Sequence, residues 1–219
     1  MSTYKGVIFD LDGTLLNTLD DLTDSVNAAM RSCGCAEHDC DAYKLKIGNG
    51  FRNLIEVSLS DEKRNAGTID HGLGVFLDTY SRCYMVKTAP YPGILSLLNA
   101  LNAQGIKMGV NSNKRNDYTR HLVEKFFSDM PLVGILGERE GVPKKPNPTA
   151  ALELAEKMQL SPNEVLYIGD SKTDIMTGRN AGMKTVGVLW GFRGRDEFEA
   201  HGADDIVQTP DEILTILQR

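Results

Sequence analysis

The sequence predicts an α/β protein: a doubly wound parallel sheet with an all-helical segment inserted behind its first strand. Three observations lead there. Short apolar, β-branched runs alternate with stretches of helical period. The runs are apolar almost throughout, which is the mark of strands covered by helices on both faces. The alternation is interrupted once, over residues 17–87, where only helical patterns occur. Finally, the runs stop at acids, a hydroxyl or lysines, and in open parallel sheets ligands bind beyond the carboxyl ends of the strands.

In chain order, the first strand is Gly6–Asp10, followed by a second acid at Asp12 and then Gly13 and Thr14. Residues 17–87 carry three helical stripes: Leu19, Leu22, Val26 and Met30; Phe51, Leu54, Ile55 and Leu59; and Leu73, Phe76, Leu77, Tyr80 and Tyr84. The sheet pattern then resumes. Ile94, Leu97, Leu98 and Leu101 form a helix that ends near Gly105. Strands are predicted at Ile106–Asn111, Leu132–Leu136, Val165–Asp170, Thr185–Leu189 and Asp205–Gln208. A helical pattern begins at Arg115, and Asn147-Pro148 caps the helix that carries Leu152, Leu154, Ala155 and Met158. Ser161-Pro162-Asn163-Glu164 has the form of a capping box, and Thr209-Pro210-Asp211-Glu212 opens the last helix with acids at its positive end. The domains are therefore expected to be a core of 1–16 and 88–219 and a helical insertion of 17–87.

The chain has 219 residues, of which 41% are apolar and 25% charged, enough for a sizeable core. A formal charge of -6 argues against a nucleic-acid footprint, so small anions must be drawn by a local site. No stretch reaches the length of a membrane span, and the start of the chain runs straight into a strand, so a cytoplasmic protein is expected. Cys33, Cys35 and Cys40 lie close to His38, but only Gly34 separates the first two. Structural zinc sites space paired cysteines more widely, so reduced thiols on a loop are expected.

The strand ends bring acids, a hydroxyl and lysines to one edge. The first delivers Asp10 and Asp12, and the second Asn111-Ser112-Asn113-Lys114. The third leads into Gly141-Val142-Pro143-Lys144-Lys145-Pro146-Asn147-Pro148, and the fourth into Gly169-Asp170-Ser171-Lys172-Thr173-Asp174. Several carboxylates suit magnesium, which takes oxygen ligands; a hydroxyl, backbone N–H groups and a lysine suit a phosphate dianion. The residue types point to metal-assisted phosphoryl transfer with a carboxylate nucleophile.

Those four segments, in that order, resemble the motifs of the haloacid dehalogenase superfamily, and the resemblance covers essentially the whole chain. It is similar to the branch with a helical cap after the first strand, and within it to the phosphoglycolate phosphatase-like group. Tyr91-Pro92-Gly93 and Trp190-Gly191-Phe192 also look like that group. The resemblance implies a Rossmann-like core and a magnesium-dependent phosphatase acting on a small phosphorylated metabolite, as a monomer or homodimer. It implies Asp10 as nucleophile and metal ligand, and Asp12 as proton carrier with its carbonyl on the metal. Ser112 and the Asn113 backbone would hold phosphate, and Lys145 would neutralise both nucleophile and phosphate. Asp170 would bind the metal, and Asp174 the metal or its waters. Gly13 leaves room for close backbone approach and Thr14 ties down the turn. In the Gly48-Asn49-Gly50-Phe51-Arg52 stretch, Asn49 and Arg52 are candidates to meet the leaving group, the arginine suiting a carboxylate or second phosphate.

Other outcomes share this machinery. A sugar phosphomutase uses the same nucleophile and metal, a nucleotidase or pyrophosphatase can stand on the same fold, and a phospho-acceptor signalling domain would stop at the acyl phosphate. Of the adjacent lysines, the Lys-Pro pairing selects Lys145 and leaves Lys144 on the surface. Asp20, Asp21 and Asp24 are expected on the wet face of a helix, and Asn111 has no assigned role.

Overall fold

The computed structural model describes residues 4–218, and the chain divides into two compact units: the chain up to Leu16 together with that from Pro90 onward, and Asn17–Ala89. The second unit is helical, built from α1 (Leu19–Ser32), α2 (Cys40–Lys44), α3 (Phe51–Ser58) and α4 (Ala66–Cys83). Its core gathers Leu22, Val26 and Met30 of α1, Leu54 and Ile55 of α3, and a stack of Phe51, Phe76 and Tyr80 with ring centroids 4.8–5.4 Å apart. The buried face of α4 is Ile69, Gly72, Phe76 and Tyr80, whereas Leu73, Leu77 and Tyr84 of the expected stripe are only partly covered. The four cysteines are free. The expected loop placement is corrected at two of them: Cys33 closes α1 and Cys40 opens α2.

One acid of α1 departs from expectation. Asp20 and Asp24 are exposed, but Asp21 is 1% exposed, because its carboxylate accepts from the main chain and hydroxyl of the segment that follows α4. Three adjacent acids in one turn look alike in sequence, and only the position of Lys87 and Thr88 separates them.

The first unit continues with α5 (Ile94–Ala103), α6 (Asn116–Phe127), α7 (Thr149–Met158), α8 (Lys172–Asn180), α9 (Arg195–Ala200) and α10 (Asp211–Leu217). Its strands are β1 (Gly6–Phe9), β2 (Lys107–Arg115), β3 (Leu132–Glu138), β4 (Val165–Gly169), β5 (Lys184–Val188) and β6 (Asp205–Val207). They form a six-stranded sheet in the order β3-β2-β1-β4-β5-β6, with every pair parallel. This is the doubly wound arrangement, whose winding reverses between β1 and β4. Val7, Ile8, Val165, Leu166, Tyr167 and Ile168 are fully buried, as central strands of a parallel sheet require. On one face α7 lays Ala151, Leu154, Ala155 and Met158 against Ile8, Leu136 and Tyr167.

Two boundaries differ from the sequence reading. The Ser161–Glu164 capping box is present, yet it opens only the 3₁₀ turn Pro162–Glu164. Val165 immediately enters the buried centre of the sheet, so tertiary burial overrides the helix-start signal. Strand β2 runs on through Ser112, Asn113 and Lys114 to Arg115, its register with β3 slipping between Asn111 and Arg115. The helix that follows therefore starts at Asn116. Pro148 stands at the start of α7, and Asn147 just before it accepts at Oδ1 from the Thr149 N–H at 3.0 Å and hydroxyl at 2.7 Å.

Candidate active site

Asp10 follows the last residue of β1, and its N–H donates to the Ile168 carbonyl at 2.9 Å. That bond extends the ladder one step and holds the side chain where β1 and β4 part. The chain then curls: the Leu11 carbonyl accepts from the Leu15 and Leu16 N–H groups, and Gly13 N–H donates to Leu16 at 2.9 Å. Gly13 has φ +85°, and a Cβ there would stand 2.1 Å from Asp170 Oδ2, so only glycine lets the turn lie against that acid. Main-chain bonds close this turn. Among the described residues the buried Thr14 hydroxyl has no hydrogen-bond partner, which corrects its expected tying role.

Asp10, Asp170 and Asp174 are buried, with one carboxylate oxygen of each lying within 4.8 Å of the others. Lys145 Nζ stands 2.8 Å from Asp10 Oδ1 and 2.7 Å from Asp174 Oδ1. Asp174 is the third residue of α8, and its Oδ2 accepts from the Ser171 N–H at 3.1 Å and hydroxyl at 2.7 Å. Asp170 Oδ2 accepts from the Phe192 N–H at 2.7 Å.

The electrostatics follow from one ammonium among three acids. Burial, then the nearby Asp174, pushes the Asp10 carboxyl up to about 7 against the pull of Lys145. Burial, then Asp174 and Asp10, lifts Asp170 well above the carboxylate range. For Lys145, burial works against the charged form, but Asp10 and Asp174 outweigh it and raise the ammonium well above its usual value. A buried pocket with this surplus of oxygen anions fits a hard divalent cation.

The remaining expected residues of this unit converge here. Ser112 is buried on β2, its Oγ accepting from Lys114 N–H at 3.2 Å. The Asn113 side chain grips the Lys145 main chain both ways: Oδ1 accepts from Lys145 N–H at 2.9 Å, and Nδ2 donates to its carbonyl at 3.2 Å. The family resemblance implies only a backbone role for Asn113. Lys145 precedes a cis peptide bond to Pro146. Lys144 pairs with Glu138 at 2.7 Å, near the surface.

Asp12 is held by a residue the sequence reading passed over. Lys114 Nζ donates to both Asp12 carboxylate oxygens at 2.9 Å. A second acid needing a second cation was the available signal. Asn111 also gains a role: its Nδ2 donates to the Tyr167 hydroxyl at 2.9 Å inside the sheet. Trp190 donates its indole N–H to the Thr14 carbonyl at 2.9 Å, fastening the post-β5 loop to the turn behind Asp12.

Asn49 and Arg52 belong to the helical unit. Asn49 is exposed between Gly48 and Gly50, both at positive φ, and Arg52 lies in the first turn of α3. Its Nη1 pairs with Asp70 at 2.5 Å, with both side chains more than half exposed.

A family model described as "haloacid dehalogenase-like hydrolase" matches residues 7–188. A phosphoglycolate phosphatase of Psychrobacter arcticus is 35% identical over 197 residues, covering 87% of this chain and 86% of the relative. An N-acetylmuramic acid 6-phosphate phosphatase of Pseudomonas aeruginosa is 31% identical over 218 residues, covering 98% of this chain and 95% of its own. A crystal structure from Lactobacillus delbrueckii subsp. bulgaricus, provisionally assigned as a phosphoglycolate phosphatase, superposes with a TM-score of 0.92 at 32% identity and full coverage of both chains. Among the described residues, no helix is long and apolar enough to cross a membrane. With the family match spanning most of its length, the chain belongs to the haloacid dehalogenase-like hydrolases, as a phosphatase of phosphoric monoesters.

Proposed function

We propose that the protein is a magnesium-dependent phosphatase that hydrolyses a small phosphorylated metabolite, phosphoglycolate or a close analogue, through an aspartyl-phosphate on Asp10. The observation that carries this reading is the buried trio Asp10, Asp170 and Asp174 with Lys145 bridging two of them. Asp10, Asp170 and the Asp12 carbonyl would hold the cation, with Asp174 binding it directly or through water. When bound, magnesium neutralises the clustered acids and the phosphate oxygens and so favours attack at phosphorus.

The chain's own residues divide the remaining work. Lys145 holds one Asp10 oxygen and favours the ionised form; the other oxygen attacks phosphorus. The bond from phosphorus to the leaving oxygen breaks, and that oxygen takes a proton from Asp12. Asp12, now a carboxylate, takes a proton from water, whose oxygen attacks phosphorus. The bond to Asp10 then breaks, its electron pair returns to the carboxylate, and inorganic phosphate leaves. The Ser112 hydroxyl accepts from Lys114 N–H, which leaves its own hydrogen for a phosphate oxygen beside the Asn113 N–H.

The Psychrobacter arcticus relative favours phosphoglycolate, and the Pseudomonas aeruginosa relative keeps a sugar phosphate as the second reading. A panel of phosphate esters assayed with magnesium and ranked by kcat/KM separates the two, with release of free phosphate distinguishing hydrolysis from a mutase's isomerised product. Asp10→Asn is expected to abolish turnover and acyl-phosphate formation; normal turnover by that variant would sink the mechanism.

A further inference from the structure

We infer that Lys114 is a positioning residue of the same reaction: it holds the Asp12 carboxyl group where proton transfer to the leaving oxygen, and later from water, takes place. The inference rests on the role of Asp12 proposed above and adds a second lysine to the machinery.

The geometry carries it. Lys114 Nζ lies 2.9 Å from both Asp12 oxygens, and the lysine side chain is 0% exposed. A lysine is seldom fully buried without an anion beside it, so the pair is built into the fold and is no surface accident. The lysine's own backbone is fixed on three sides. Its N–H donates to Ser112 Oγ at 3.2 Å, and its carbonyl accepts from Thr119 Oγ1 at 3.1 Å. A Cβ on Gly137 would sit 2.7 Å from that carbonyl, so β3 packs behind it as closely as glycine alone permits. Main-chain bonds fix the backbone turn that carries Asp12, and its carboxylate accepts from Lys114 Nζ.

A short acid on a turn samples several rotamers, and a proton carrier works only within hydrogen-bond reach of its target. Misplacement by about 1 Å costs roughly 10²-fold in rate. Two hydrogen bonds from a rigid ammonium restrict the carboxyl group to one place. The two lysines then serve different acids: Lys145 serves the nucleophile and Asp174, and Lys114 serves the proton carrier.

The test compares a poor and a good leaving group in the magnesium-loaded enzyme. In Lys114→Met, kcat/KM for phosphoglycolate should fall about 10²-fold or more, but for dinitrophenyl phosphate less than about tenfold, because a dinitrophenolate departs without a proton. With the aryl ester, rapid mixing should show a burst of phenolate followed by slow turnover, because the second half-reaction still needs Asp12 as base. A misfolded or loosened site would lower both esters alike and show no burst, and that outcome overturns the inference. Asp12→Asn run alongside separates the two levels of the argument. A leaving-group-selective loss in Asp12→Asn but not in Lys114→Met removes only Lys114, whereas equal losses in Asp12→Asn remove the proton-carrier reading and the inference with it. If Lys114→Met fails to fold, the double variant Asp12→Asn/Lys114→Met removes both partners and leaves no stranded ammonium. Activity of the double variant within about threefold of Asp12→Asn supports a lysine acting through Asp12, and a further loss beyond about tenfold overturns it.

Discussion

Asp21 in the helical unit and Asp170 in the sheet unit are buried to nearly the same degree, yet their surroundings are opposite. Asp21 accepts from Lys87 N–H at 3.0 and 3.1 Å, from Thr88 N–H at 2.9 Å and from the Thr88 hydroxyl at 2.8 Å. Its charge is met by neutral donors, and the result is a staple between α1 and the segment after α4. Asp170 accepts from the Phe192 N–H at 2.7 Å, and the strongest charges around it are other acids. Burial alone therefore does not distinguish Asp170 from Asp21; the shortage of donors and the neighbouring acids do. The same contrast separates Asp10, which shares Lys145 with Asp174, from Asp21.

The largest effect that tests this contrast is on catalysis. Asp10→Asn should lose at least about 10⁴-fold in kcat/KM while remaining folded, since it removes an acid the fold tolerates poorly. Asp21→Asn should do the reverse. Its amide cannot accept four hydrogen bonds, so unfolding should be easier by about 2 kcal/mol, a fall of roughly 5 °C in Tm. Its kcat/KM on an aryl phosphate should stay within about threefold of the parent. An Asp21 variant that is stable but inactive would erase the distinction between the two kinds of acid.

A smaller effect comes from metal and pH together. Burial and Asp174 raise the Asp10 carboxyl to about 7 in the folded chain from its usual 3.8. Between those values the folded chain holds a proton that the unfolded chain releases, so the contribution of Asp10 to stability falls as pH rises through that window. Asp170 shifts in the same direction. A cation that binds the ionised trio restores the loss, so magnesium should raise Tm by a few degrees at about pH 8 and by much less near pH 5. Asp170→Asn should cancel the gain, and a shift independent of pH would separate the cation from these acids.

What the sequence made legible follows how local each signal is. Continuous apolar runs located every strand of the sheet, and four strand-end segments located the acids, Ser112 and Lys145, because each is a short stretch with its own chemistry. Pairings across the fold were visible only through the resemblance. It matched Lys145 to the nucleophile, whereas the partner of Lys114 emerges only from its ion pair with Asp12 in the fold. Asn111 reads as an odd polar end to a strand until Tyr167 is seen beside it. The Ser161 box was a true local signal that the buried neighbour Val165 overrode.

The smallest effect concerns Arg52, whose partner Asp70 is as exposed as the arginine itself. An open pair of this kind is worth roughly 0–1 kcal/mol, so exchanging Asp70 for a substrate carboxylate would cost little. Arg52→Ala should therefore leave stability within about 0.5 kcal/mol. If Arg52 reads a carboxylate on the substrate, kcat/KM for phosphoglycolate should fall by about tenfold, while an aryl phosphate without that group loses less than about threefold. Asp70→Asn sharpens the point, because it frees the guanidinium and should slightly lower KM for the carboxylate-bearing ester alone. Equal losses on both esters would take Arg52 out of substrate selection and leave it, like Lys44 and Arg82 with their own helical aspartates, as a solvated partner of a surface acid.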